Sequence, residues 1–152
     1  LLINNAGISG EKGQRFGNLK VEEFLNVFHT NAVAPIKLIE ALIESVLKST
    51  RKQIVQISSV FGSISENESA HVYAYRASKA AVNMLMKNLS IDLKEQGVKI
   101  LILHPGWVKT DMGGPEADLN VEESIAGMIE VIEKHQDESG KFYSFDGRTI
   151  PW

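Results

Sequence analysis

Apolar residues along this chain fall into two kinds of block, short near-continuous runs that predict strands and longer runs of helical spacing that predict helices. Leu1–Asn5 reads as a short buried strand ending at Ala6-Gly7. Gly10–Leu19 is rich in glycine and charge and reads as a loop. Across Glu22–Leu47, Phe24, Leu25, Phe28, Val33, Leu38, Ile39, Leu42, Ile43, Val46 and Leu47 recur at helical spacing. Pro35 predicts a kink or break there, because it lacks an N–H and crowds the preceding turn. Ile54–Ser58 predicts a second strand, and Ser59–Ala70 a polar loop around Gly62.

Tyr73–Gln96 has helical periodicity in Ala77, Ala81, Val82, Leu85, Leu89 and Leu93, with Gly97 as its stop. Val98–Leu103 is a third strand, apolar enough to be covered on both faces. His104–Asp118 is a loop, followed by Asn120 and Glu123 spaced as a capping box for a helix over Val121–His135. Gly140–Phe145 is a last strand, and Asp146-Gly147 a turn. Strand and helix alternate throughout, which predicts an α/β fold: a doubly wound parallel sheet with helices on both faces and right-handed crossovers. Ligands of such sheets sit beyond the carboxyl ends of the strands. Asn5–Gly7, Ser58–Gly62 and Pro105–Thr110 each follow a strand, so these loops should meet at one edge.

The length of 152 residues suits one domain. Leu1-Leu2-Ile3 needs burial from its first residue, and the expectation is a stretch from a longer parent protein. A net charge of -3 offers nucleic acid no basic footprint. The absence of cysteine excludes disulfides, thiolate catalysis and cysteine-ligated zinc; no metal site is predicted. No apolar run is long enough to span a membrane, and no secretory signal is visible. A soluble cytoplasmic protein is the expectation.

The candidate chemistry starts at Tyr75 and Lys79, which lie four apart on one helix face. A phenol titrates near pH 10, and a neighbouring ammonium favours its ionised form, so the pair can act as a general acid/base. Alone, this spacing is commonly a surface lysine beside a half-buried tyrosine. Ser59 stands sixteen positions earlier at a strand end, where its hydroxyl can bond a carbonyl oxygen; a plain turn or N-cap is the bland alternative. Asn4-Asn5-Ala6-Gly7 permits close approach of a ligand to backbone, and Pro105-Gly106-Trp107-Val108-Lys109-Thr110 ends the third strand with a hydroxyl to offer. Asn31 is a poor helix former inside a helical stretch.

These motifs (N-N-A-G, Asn31, S-S-x-x-G, Y-x-x-x-K and P-G-x-x-x-T), in this order from Asn4 onward, resemble the short-chain dehydrogenase/reductase family. The loop Asp111–Pro115 and the ending Asp146–Trp152 are similar to its C-factor-like and sniffer-like carbonyl reductases. The resemblance implies a Rossmann-like fold and an oxidoreductase that uses NADP or NAD, with NADP slightly favoured, on a small carbonyl or alcohol substrate. It assigns Tyr75 as proton donor or acceptor, Lys79 to lowering the phenol pKa and binding the nicotinamide ribose, and Ser59 to the substrate carbonyl. Asn31 would hold a water linking Lys79 to solvent. Asn5, Ala6 and Gly7 would line the adenosine-side ribose, while Pro105, Gly106, Val108 and Thr110 would hold the nicotinamide. The Ser58–Gly62 loop, Trp107 and Met112–Leu119 would shape the substrate pocket, with Gly113-Gly114-Pro115 suggesting a mobile lid or, equally, a static surface loop. The helices bearing Asn31 and Tyr75 imply a homodimer.

One departure stands out: the Gly-rich T-G-x-x-x-G-x-G turn of the family is not in this sequence, so residues 1–152 correspond to a partial dinucleotide-binding domain. The rival reading is a truncated or non-catalytic relative acting in signalling or protein interaction.

Overall fold

Four parallel strands form the sheet of the computed structural model, which describes residues 1–152. They are β1 (Leu2–Asn4), β2 (Gln53–Ile57), β3 (Lys99–His104) and β4 (Lys141–Ser144), side by side in chain order. Ile3 pairs with Val55, Val55 with Leu101, and Leu103 with Tyr143, so one register runs across the sheet.

Alternation along the strands separates two cores. On one face, Ile54, Ile100, Ile102 and Phe142 pack against Ala32, Ile39 and Val46 and against Val82, Met86 and Leu93. Ile39 and Val46 lie on α2 (Ala34–Lys48), Ala32 in the turn that joins it to α1 (Val21–Phe28), and Val82 and Met86 on α3 (Tyr73–Asp92), with Leu93 just past its end. On the other face, Val55, Leu101, Leu103 and Tyr143 pack against Val131 and Ile132 of α4 (Val121–Lys134). Helices therefore cover both faces, as expected.

The handedness departs from expectation at one place. The β1–β2 and β2–β3 crossovers pass over the α2/α3 face, whereas β3–β4 advances in the same direction over the opposite face. Two crossovers of the usual right hand make the third left-handed. The long loop from Pro105 to Asn120 carries the chain around the sheet edge to a face that α3 does not occupy. Leu1 and Ile3, on the α4 face of β1, stay half exposed at 49% and 48%.

Boundaries match the periodicity with local corrections. The expected helix over Glu22–Leu47 is interrupted not at Pro35 but just before it, by a π-helical turn over His29–Val33; Pro35 sits in the first turn of α2, where its missing N–H costs least. The Ser59–Ala70 loop opens with a 3-10 turn over Val60–Gly62. The helix expected to reach Gln96 ends at Asp92, and a 3-10 turn (Lys94–Gln96) leads to Gly97 at φ +76°. Asn120 and Glu123 form the reciprocal capping box. No helix is long and apolar enough to cross a membrane.

Candidate active site

The parallel strands bring the ends of β1, β2 and β3 to one edge, and the N-terminal half of α3 lies beside it. Lys79 is buried there at 3% exposure, and its Nζ donates to the Ile57 carbonyl at 3.1 Å. Desolvation pulls its pKa down to about 8. An ammonium has three N–H donors, and this one makes a single hydrogen bond to the protein. Gly7 leaves the space in front of it: a β-carbon there would lie 3.5 Å from Lys79 Nζ and 3.3 Å from Asn31 Oδ1.

The Lys79 Nζ stands 5.6 Å from the Tyr75 ring centroid. Burial pushes the phenol above its ordinary pKa, and the nearby Ser59 hydroxyl draws it back by less. The lysine was expected to depress this pKa. In the structure desolvation governs, because Nζ lies over the ring and is bonded to Ile57. Phe61 meets the Tyr75 ring edge-on at 6.3 Å and is covered by the Arg76 guanidinium at 3.9 Å.

Ser59 follows β2 in extended conformation and caps the 3-10 turn, its Oγ accepting the Phe61 N–H at 3.2 Å. The turn is seated on α3. Ser58 donates to Asn83 Oδ1 at 2.6 Å, and Asn83 Nδ2 donates to the Gly62 carbonyl at 3.3 Å. A β-carbon on Gly62 would come within 2.8 Å of Asn83 Nδ2 and of the Lys79 backbone. Asn83 escapes sequence reading because a lone asparagine on a helix looks like surface.

Asn31 is fully buried in the π-turn. Its amide accepts from the Ile8 N–H and donates to the Ile8 carbonyl, both at 2.8 Å, and also donates to Ser78 Oγ at 3.0 Å. The side chain is thus spent on structure. Its backbone carbonyl differs: the residue four ahead is Pro35, which has no N–H to give. Ala34 N–H is already turned to the His29 carbonyl.

Asn5 and Ala6 are exposed at the end of β1. Asn4 Nδ2 donates to the Pro35 carbonyl at 3.3 Å, tying the strand to α2. Beyond β3, Pro105 accepts from buried Ser124 at 2.6 Å, and Gly106 adopts φ +85°, where any side chain would strike Leu119 and Phe145. Val108 bridges to Leu119. Thr110 does not offer a free hydroxyl, since Oγ1 accepts from Gly113 N–H at 3.1 Å and reaches the Val108 carbonyl at 3.4 Å. Trp107 Nε1 donates to the Gly113 carbonyl at 2.8 Å. The loop expected as a mobile lid is therefore cross-braced. A separate open cleft of about 680 Å3 lies on the outer side of α3 between Phe61, His71 and Ala77; Ser59, Tyr75 and Lys79 do not line it.

Three side chains expected to cooperate from separate motifs thus converge, with Gly7 clearing the approach to the cation. The family model for short chain dehydrogenases matches residues 1–120. This chain belongs to the short-chain dehydrogenase family. C-signal of Myxococcus xanthus is 37% identical over all of this chain and 92% of its own length. Among solved family structures, the NADPH-bound carbonyl reductase from chicken fatty liver superposes with TM-score 0.91 at 36% identity, and carbonyl reductase Sniffer of D. melanogaster with 0.90 at 38%. Both comparisons cover 99% of this chain, which spans 65% of either reductase. The family's Rossmann fold is the one described above.

Proposed function

We propose that this protein is an NAD(P)(H)-dependent oxidoreductase that reduces a carbonyl, or oxidises the matching alcohol, with Tyr75 as proton donor or acceptor. The observation that carries this reading is the buried Lys79 ammonium beside a tyrosine that Ser59 also reaches. Fit to a dinucleotide is supported by the chain's own geometry: a buried cation with donors to spare faces the space beside Gly7, which a β-carbon there would narrow. A ribose diol supplies the acceptors such a cation lacks. Lys79 and Gly7 would hold that ribose, Asn5 and Ala6 the adenosine side, and Pro105, Gly106, Val108 and Thr110 the nicotinamide end, with Thr110 first giving up its bonds to Gly113 and Val108. When bound, the dinucleotide supplies the hydride. NADP is the form held by the chicken and other family structures; we favour it over NAD.

The protein's part is positional and protonic. Ser59 donates a hydrogen bond to the substrate oxygen and orients it. Tyr75 Oη gives that oxygen its proton as negative charge develops there. Lys79, positively charged below about pH 8 and 5.6 Å from the Tyr75 ring, would grip the dinucleotide ribose beside the reacting groups. The phenol is re-protonated through Lys79 and a water held by the donor-poor Asn31 carbonyl, which opens a route toward solvent. Asn31 acts here through its backbone.

Residues 1–152 would then supply one partial dinucleotide-binding domain with the catalytic site. Exposed apolar residues on the α2/α3 surface (Leu38, Met84 and Ile91) support a homodimer, and a cytoplasmic setting completes the reading. The test is NADPH oxidation in the presence of an aromatic aldehyde. Consumption matched by equal alcohol formation is expected; binding of NADPH without alcohol formation from any aldehyde or ketone offered would overturn the reductase assignment.

A further inference from the structure

Residues Asp146–Trp152 turn back along β4 and are fixed to it. Ser144 N–H donates to the Arg148 carbonyl at 2.8 Å, and Ile150 N–H to the Phe142 carbonyl at 2.9 Å. Ile150 is 2% exposed, and the Trp152 ring stacks on Phe142 at 5.8 Å. From this anchorage the segment grips the loop that follows Ser59. Ser63 Oγ donates to the Pro151 carbonyl at 2.7 Å. Ser65 donates to the Trp152 carbonyl twice, from N–H at 3.0 Å and Oγ at 2.6 Å. Arg148 pairs with Glu66 at 2.7 Å.

These contacts are unequal. The ion pair is partly exposed and adds little. Ser63 is 2% exposed, and its Oγ also accepts the Glu66 N–H at 3.2 Å, so solvent does not readily replace a lost partner. Ser63 is also continuous with the turn bearing Ser59: its N–H donates to the Val60 carbonyl at 2.9 Å, and Gly62 N–H to the Ser59 carbonyl at 2.8 Å. The serine turn is therefore held at two points, by Asn83 of α3 and by the strap.

We propose that residues 146–152 are a strap that sets the distance between Ser59 and Tyr75, with Ser63, Pro151 and Trp152 as positioning residues for the reduction. This deepens the proposed function and rests on it. A misplaced serine would slow the chemical step while leaving the dinucleotide contacts of Lys79 and Gly7 in place.

The test compares the wild type with a chain ending at Ile150, with Ser63→Ala, with both changes together, and with Ser63→Thr. Hydrogen exchange is read at the amides of residues 60–65, with kcat, aldehyde KM and NADPH affinity alongside. Either single change is expected to speed exchange there and lower kcat about tenfold while NADPH affinity stays within about twofold. Both together should cost clearly less than the sum of the two, because each removes the Ser63–Pro151 bond. Ser63→Thr, which keeps the hydroxyl, should retain wild-type exchange and kcat. Unchanged exchange in both single variants, or faster exchange with wild-type kcat, or fully additive losses, would overturn the strap. A wild type that turns over no aldehyde overturns the reductase reading instead, and the exchange rates still decide the mechanical part. If the shortened chain does not fold, Ser63→Ala against Ser63→Thr decides it.

Discussion

Asn31 holds the backbone of Ile8 at both its N–H and its carbonyl, each bond 2.8 Å long. Nothing else in the structure ties the loop after β1 so directly to the π-turn, and the same amide reaches Ser78 on α3. The loop after β1, the π-turn and α3 meet on this one side chain. Asn31→Ala leaves buried backbone groups of Ile8 without partners. We expect a loss of about 2–4 kcal/mol in urea denaturation. An unchanged midpoint would show that the loop is held by other means.

Lys79 makes an opposite prediction for stability and for chemistry. Its folded pKa, about 8, lies below the ordinary value of 10.5. Between those values the unfolded chain carries more protons, so stability of the wild type rises with pH; below about pH 8 the full cost of the buried charge is present. Lys79→Met should therefore stabilise the fold at pH 7, by about 1–3 kcal/mol after the lost bond to Ile57 is counted. That advantage should disappear by about pH 10.5. Denaturation curves at the two pH values measure it, and the variant should no longer bind NADPH tightly.

Gly62 is required by space, since its φ is not positive. Gly62→Ala forces a methyl against the Lys79 backbone and Asn83. We expect about 1–3 kcal/mol of destabilisation and a fall in kcat as the Ser59 turn lifts from α3.

His104 ends β3 largely buried, with Nδ1 lacking any partner. Burial first, and then the nearby Arg148, push its pKa down to about 4. As pH falls below about 6.5 the unfolded chain takes up a proton that the folded chain refuses, so stability declines and levels off near pH 4. The decline should amount to about 2–3 kcal/mol. His104→Gln should flatten that part of the stability curve; an unaltered slope would place the acid sensitivity elsewhere.

What the sequence revealed and what it hid divide along physical lines. Period-2 and period-3.6 patterns report burial, and burial is what places β2, β3 and α3. Ser59, Tyr75 and Lys79 stand out in the sequence because their types and spacings match what one proton-transfer chemistry would ask for. Contacts between distant segments leave no such trace. Gln14, in a loop read only as Gly-rich, accepts the Ala74 N–H at 3.0 Å and helps open α3 from sixty residues away. The grip of Pro151 and Trp152 on Ser63 and Ser65 uses backbone carbonyls, which any residue carries. The hand of the β3–β4 crossover depends on which face α3 leaves free. The Tyr75 pKa also misled, because an i, i+4 spacing sets proximity but not whether Nζ reaches the phenolic oxygen.

The most direct measurement is single-turnover reduction of an aromatic aldehyde by NADPH in the wild type and in Tyr75→Phe, with NADPH binding followed by its fluorescence in the same samples. A proton delivered by the Tyr75 phenol predicts a rate loss of about 100-fold or more with NADPH affinity preserved. Equal single-turnover rates in the two proteins would contradict it.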